Sequence, residues 1–466
     1  MKLLTHVPAS ANGYCSCFYK ALAMLAATLT LLGGGIVPAI AQDDAPVMAH
    51  VVLPSSSKQG ATPMHQTDFA SPALPLLFDS PEKREGLAPF FRDSTFVAQA
   101  RTYYLKDKQF DGSHSEAWAL GGSLAYKSGY LADIFRIGAV GYTSQRLYGP
   151  EDKDGTLILE SGQHGYTVLG QLYGELKLAD QIIAALGRKE YNTPYINNFD
   201  DRMTPYTFQG YSLYGAAGGA DGAPAWRYGA GYINKIKEKN SDEFVWMSRS
   251  AGADVNRGVY VVGANFEQNN FSLGAINYYS NDIINMFYTE AKYALSLTEQ
   301  YQLQLSAQYS NQRSTGDDLL TGSAFSTGQT GVKADLGVGG ALLTLAYTSA
   351  ANGASMQSPW GGYPGYTSVQ VQDFNQAGES AVMLRAEYDF SKIGFEGLSA
   401  YALTVQGTGV KRPSYNENET DLSLQWEPGS GVLKGFSLCT RYAVVTQHGG
   451  GDPSLDDFRV IVNYNF

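Results

Sequence analysis

From Ser94 to the last residue, the chain is written in segments that alternate side chains with a period of two. The clearest places Tyr301, Leu303, Leu305, Ala307 and Tyr309 on one side and Gln302, Gln304, Ser306, Gln308 and Ser310 on the other. The final stretch does the same: Val460, Val462, Tyr464 and Phe466 oppose Arg459, Ile461, Asn463 and Asn465. A period of two means extended strands with two unlike faces. Alternation of this kind fits a soluble sandwich or a membrane barrel, and two further features separate them. Aromatic residues sit near the ends of the apolar sides, as in Trp118 and Tyr126, Tyr301 and Tyr309, Tyr388 and Phe390. Interfacial girdles of a membrane barrel fall at such places. The opposite sides mix Gly, Ser, Gln, Arg and Glu, which is too polar for a core and suits a wet lumen.

Counting segments gives candidates near 94–106, 115–127, 133–147, 164–175, 179–188, 206–215, 225–237, 258–266 and 270–280. Nine more follow near 283–295, 299–310, 329–337, 341–349, 380–390, 398–407, 421–427, 434–446 and 456–466. The total is even, as a closed barrel with both termini on one side requires. Connections after odd-numbered strands are mostly long and polar, and those after even-numbered strands are mostly short. Ser280-Asn281-Asp282 is a tight exception on the long side. No later segment resembles a helical span, and lipid tolerates only helices or closed barrels, because a sheet edge leaves amides unpaired. The expected fold is all-β, a transmembrane β-barrel of 18 antiparallel strands.

The start of the chain reads differently. Lys2 and Lys20 precede an apolar run, Ala21 to Ile40, that ends Ala39-Ile40-Ala41 before Gln42-Asp43-Asp44. This is a signal-peptide pattern over 1–41. Residues 42–90 are proline-rich without sustained period, read as a flexible N-terminal extension. The barrel domain is then 91–466. The formal net charge of −11 and the lack of a basic tract speak against nucleic acid. Cys15 and Cys17 lie in the leader, so Cys439 has no partner. Asp152-Lys153-Asp154-Gly155 is too short for a calcium loop. The six histidines are scattered, and no nucleophile motif appears. No enzyme activity, metal or cofactor is expected.

The third long connection carries the most unusual chemistry, running from Arg188 and Lys189 through Tyr191, Tyr195, Asp200, Asp201 and Arg202 to Tyr206. Prolines stiffen it and its carboxylates can pair with Arg202. With F-x-D-S at Phe91–Ser94, R-x-Y-Y at Arg101–Tyr104, D-x-R-x-x-P-x-T-F-x-G at Asp200–Gly210 and the terminal aromatic strand, the chain resembles the OprD-like family of substrate-specific outer-membrane porins. The resemblance implies an 18-stranded monomeric barrel in the bacterial outer membrane with a pore-constricting third extracellular loop. It also implies a ladder of lumen Arg and Lys residues that guides carboxylate-bearing solutes.

Strand parity puts Arg101, Lys333, Arg385 and Arg441 on polar faces, while Arg188, Lys189, Asp200, Asp201 and Arg202 border the loop. Tyr191, Tyr195 and Tyr206 can bind aromatic or sugar faces, or pack the loop. The expected function is selective passive uptake of small carboxylate-bearing solutes such as amino acids, peptides or aromatic acids. The expected partners are outer-membrane lipid and lipopolysaccharide, the solute, and the barrel-insertion machinery. An oligosaccharide porin, a barrel enzyme and an adhesin acting through 350–379 are the alternatives.

Overall fold

The computed structural model describes residues 86–466 apart from 220–222, 299, 412, 413 and 450. The expected leader and nearly all of the proline-rich extension lie outside the described residues. Eighteen long strands follow one another. The first six are β1 Thr95–Lys108, β2 His114–Lys127, β3 Phe135–Tyr148, β4 Tyr166–Ala179, β5 Ile182–Lys189 and β6 Thr207–Gly218. Next come β7 Ala225–Lys237, β8 Val259–Gln268, β9 Phe271–Ser280, β10 Ile284–Ser296, β11 Tyr301–Arg313 and β12 Ser326–Val338. The last six are β13 Ala341–Ala350, β14 Ser380–Asp389, β15 Leu398–Thr408, β16 Asn416–Trp426, β17 Phe436–His448 and β18 Ser454–Asn465. Each pairs antiparallel with its sequence neighbours. A two-residue strand, Val245–Trp246, lies against the end of β7 within the connection to β8.

The ring closes between the first strand and the last. β1 pairs antiparallel with β18 from Gln99↔Asn465 to Lys108↔Asp456, and the Phe466 amide donates to the Ala98 carbonyl at 3.0 Å. Closure satisfies the backbone groups that two free edges would expose. Outside, leucines and valines stand exposed around the ring, including Leu186, Leu213, Val262, Leu305, Val332, Leu345, Leu384 and Leu422. Water would not tolerate so continuous an apolar belt; hydrocarbon does. The tight turn after β9 leaves the count intact: Asp282 takes a left-handed φ of 65° and β10 begins at Ile284.

The inside is less uniformly polar than alternation suggests. From β6 to β10 the inner side chains include Phe208, Ile233, Val259, Val261, Ile276, Tyr278, Met286 and Tyr288, all buried. They pack with Tyr191, Tyr195 and Ile196 from the β5–β6 connection and with Met356, Trp360 and Tyr363 from the β13–β14 connection. A second cluster joins Tyr103, Leu105, Ala117 and Ala119 to Ile158, Leu159 and Met203 of the connections. Each large side chain so buried contributes about 1.5–3 kcal/mol, enough to hold loops inside a ring.

Candidate functional site

Arg101 lies on the inner face of β1, and its guanidinium meets the third long connection. Nη1 and Nη2 donate to Asp200 Oδ1 and Oδ2 at 2.6 and 2.8 Å, while Nε donates to Asn463 Oδ1 of β18 at 2.8 Å. Nη1 also donates to the Arg202 carbonyl at 2.9 Å. The planar fork of arginine suits such a bidentate carboxylate. Across the pairing, Arg101 faces Gly121, where an added Cβ would fall 1.9 Å from the Thr143 carbonyl and 3.1 Å from Met203 Cε. Glycine there leaves room for the connection to approach the wall.

The neighbouring carboxylate, Asp201, is held twice. Arg202 Nη1 lies 2.5 Å from Oδ2 and Lys239 Nζ 2.9 Å from Oδ1. Burial pushes the Asp201 carboxyl up, but the two cations outweigh it and hold it below the usual range. Arg202 Nε donates to the Thr156 carbonyl, and the Tyr103 hydroxyl donates to the Asp201 carbonyl at 3.0 Å. Glu190 accepts from the Tyr142 hydroxyl at 2.6 Å, from Gln171 Nε2 at 2.8 Å and from Asn198 Nδ2 at 3.1 Å. Burial raises its pKa.

The three tyrosines pack the connection. The Tyr191 hydroxyl donates to Ser212 Oγ at 3.2 Å, and burial pushes it up to about 12. Tyr195 accepts or donates at Ser310 Oγ, and its amide donates to the Tyr278 hydroxyl at 3.2 Å. Its ring meets those of Tyr278, Tyr288 and Tyr363 edge-on. Tyr206 stacks on Phe199 at 6.4 Å, with Lys239 Nζ over both rings.

Farther round the wall, cations stand beside carboxylates two residues along the same strand. Lys292 meets Glu290 at 2.9 Å, Lys333 meets Asp335 at 3.0 Å, Arg385 meets Glu387 at 2.5 Å, and Arg459 meets Asp457 at 2.6 Å. Residues i and i+2 share a strand face, so each pair lies wholly inside. Arg441 is paired in register with Arg459. Lys189 Nζ reaches Glu175 at 3.2 Å under the rings of Tyr173, Tyr191 and Tyr214. Arg136 meets the other oxygen of Glu175 at 2.5 Å. Arg459 and Lys292 were not singled out from sequence, although the parity that found Arg441 also places Arg459 inside.

Arg188 is set apart from this group. It shares its strand face with Leu186, which is 66% exposed, so it points outward, stacked 4.3 Å from the Phe244 ring with Nε 3.3 Å from Gln209 Oε1.

The β13–β14 connection, 351–379, also bonds inside. The Val371 and Gln372 amides donate to the two Glu419 oxygens at 2.8 and 2.7 Å, and the Gln370 side chain donates to Asp457 at 2.9 Å. Trp360 Nε1 donates to the Met247 carbonyl at 2.8 Å. Asn197 of the third connection bonds both the Gly362 amide and carbonyl at 2.9 Å. An added Cβ at Gly362 would fall 2.5 Å from the Phe199 ring, so glycine permits this meeting of two loops. An adhesive surface would display Trp360, yet its ring is fully buried. The signal available in sequence was composition: Trp360, Tyr363, Tyr366 and Phe374 are too apolar for an exposed loop.

Residues 88–466 match the model described as outer membrane porin, OprD family. A curated relative, Porin D of Pseudomonas aeruginosa strain PAO1, is 23% identical over 418 residues, covering 80% of this chain and 91% of the relative. Among solved structures, Pseudomonas aeruginosa OccK9 (OpdG) superposes with a TM-score of 0.72 at 23% identity, covering 81% of this chain and 100% of that one. Pseudomonas aeruginosa OpdK with vanillate gives 0.70 at 19% identity, covering 81% and 99%. A BenF-like porin from Pseudomonas fluorescens Pf-5 gives 0.72 at 17% identity, again covering 81% and 99%. At such identities the likeness speaks to the fold.

Proposed function

The chain belongs to the OprD family of outer-membrane porins, and from that premise we propose that it takes up small carboxylate-bearing solutes passively through a lumen narrowed by residues 190–206. The observation that carries this reading is where that connection is anchored. Asp200 is bound to Arg101 on β1, while Tyr195 is bound to Tyr278 on β9 and Ser310 on β11. In a ring of eighteen strands, β1 and β9–β11 stand about half a turn apart, so a segment bonded to both crosses the interior.

The apolar packing on β6–β10 fills one side of that interior. The proposed passage runs along the wall that carries Lys333, Arg385, Arg441 and Arg459. Because Lys333, Arg385 and Arg459 stand beside wall carboxylates, an arriving solute carboxylate exchanges with a partner already present. Such a site is shallow, and a series of shallow sites favours transit over trapping. Asp200 and Asp201 are occupied by Arg101, Arg202 and Lys239, so they offer little to a solute amino group. The relative crystallised with vanillate, an aromatic carboxylate, supports this solute class.

Single-channel recording in planar bilayers tests the reading, with benzoate, basic amino acids, short peptides and neutral oligosaccharides added in turn. Carboxylates are expected to interrupt the current in proportion to concentration. Interruption by oligosaccharides alone would overturn the proposal in favour of a sugar channel.

A further inference from the structure

On the outer face, at the end bearing the long connections, two rows of side chains run across adjacent strands. The upper row is set by the register Arg188↔Gln209, Gln209↔Lys235 and Lys235↔Trp246. The row beneath is Leu186↔Tyr211, Tyr211↔Tyr232 and Tyr232↔Tyr260. Leu186, Tyr211 and Tyr260 are 66%, 55% and 56% exposed, which fixes this face as the one turned to lipid. The tyrosine rings form a continuous band, with centroids 5.7 Å apart for Tyr211–Tyr232 and 4.7 Å for Tyr232–Tyr260. A bulge between Gln209 and Gly210 restores Lys235 to the outward face after Ile233 turns inside.

Nearly every other strand cation described above has a carboxylate beside it; Arg188 and Lys235 have none among the described residues. The Arg188 guanidinium lies on Phe244 at 4.3 Å with Nε on Gln209, and neither Nη has a carboxylate partner among the described residues. The acidic residues nearest in sequence are engaged elsewhere, and Glu243 beside Phe244 forms no ion pair with either cation among the described residues. Glu190 is bonded to Tyr142 and Gln171, and Glu238 accepts from Ser250 at 2.7 Å. Neighbouring strands lie about 4.8 Å apart, so Arg188 and Lys235, two strands apart, straddle a gap of about 10 Å.

We propose that this row is a docking site for a phosphorylated glycolipid of the outer leaflet, with phosphates on Arg188 and Lys235 and the acylated sugar against Tyr211, Tyr232 and Tyr260. Charge complementarity selects this occupant. At the level where the hydrocarbon ends, two uncompensated cations require an anion, guanidinium suits phosphate oxygens, and tyrosine belongs at that interface. The site lies outside the lumen and does not depend on which solute the channel carries.

Binding of bisphosphorylated lipid A and of its fully dephosphorylated form to the detergent-solubilised, folded porin tests this by native mass spectrometry. Removing each cation is expected to weaken the phosphorylated form about fivefold. The wild type should prefer the phosphorylated form about twentyfold, and the Arg188→Gln/Lys235→Gln variant should bind both forms alike. Retained heat-modifiable mobility on gels verifies that the variant is folded. A wild type without preference for the phosphorylated lipid overturns the proposal with no variant needed. A folded double variant that keeps the preference overturns it equally.

Discussion

Arg101 and Asp200 form a bidentate pair across 99 positions of sequence, with both donor distances under 3 Å. The arginine belongs to the wall and the aspartate to a connection, and the same guanidinium reaches Asn463 on the last strand. One side chain thus joins the seam that closes the barrel to the β5–β6 connection.

Loss of that pair should free the β5–β6 connection. Asp200→Asn removes a charged acceptor from Arg101 and is expected to cost about 1.5–3 kcal/mol of loop anchoring. That is about a tenfold or larger shift toward open forms. Single-channel conductance should rise and open-channel noise increase, with the barrel still folded. Wild-type conductance in Asp200→Asn would mean the pair does not hold the passage narrow.

The second inward loop has its own anchor in Trp360, fully buried against Met247 of the β7–β8 connection. Trp360→Ala is expected to cost about 3–5 kcal/mol locally, because the cavity adds to the lost burial. Limited proteolysis of the folded porin should cut within 351–379 at least tenfold faster than in wild type. Equal rates would place the ring's role elsewhere.

The foot of that loop is expected to respond to pH. Burial pushes the Glu379 carboxyl up to about 7, with Glu417 adding repulsion. In an opened loop Glu379 would ionise near 4.5, so between about pH 4.5 and 7 the open form binds fewer protons than the closed one. Closed-loop stability is therefore fully present below about pH 4.5 and falls as pH rises to 7. Hydrogen exchange of the 372–379 amides, corrected for intrinsic rate, should quicken by up to about tenfold per pH unit across that window. Glu379→Gln should remove the dependence; an unchanged pH profile in that variant would contradict it.

Phe466 is 54% exposed, its ring 4.7 Å from that of Tyr464 and its amide on Ala98. Deleting it removes one seam hydrogen bond and the terminal aromatic. The fraction of heat-modifiable, folded barrel recovered from the outer membrane should drop severalfold. The conductance of whatever does assemble should match wild type, and full recovery would argue against a role in assembly.

The wall was legible in sequence because lipid on one side and a different environment on the other write themselves as a period of two. Even the tight turn at Asp282 did not disturb the strand count, since alternation on β9 and β10 carries across it. Loop paths left no comparable trace. Residues 350–379 read as an outer loop, and only the burial of Trp360 and the bonds from Val371 and Gln372 to Glu419 turn it inward. Pairings such as Arg101 with Asp200 join distant positions, and local spacing cannot specify them. Arg188 was a matter of parity: counting from Leu186 places it outside, whereas its nearness to the loop in sequence suggested the interior. The apolar part of the inner face, Ile233 on β7 with Val259 and Val261 on β8, was hidden for a different reason, because Tyr260 and Val262 stand on the outer face beside it and alternation fades there.

The most direct measurement is the reversal potential of the wild-type channel in a bilayer under a sodium benzoate gradient, compared with Lys333→Gln/Arg385→Gln. Wild type should be measurably permeable to benzoate, and the double variant should lose most of that permeability while still conducting small inorganic ions. A wild-type channel impermeable to benzoate and other small carboxylates, or a double variant with undiminished permeability, would contradict passage of carboxylates along this wall.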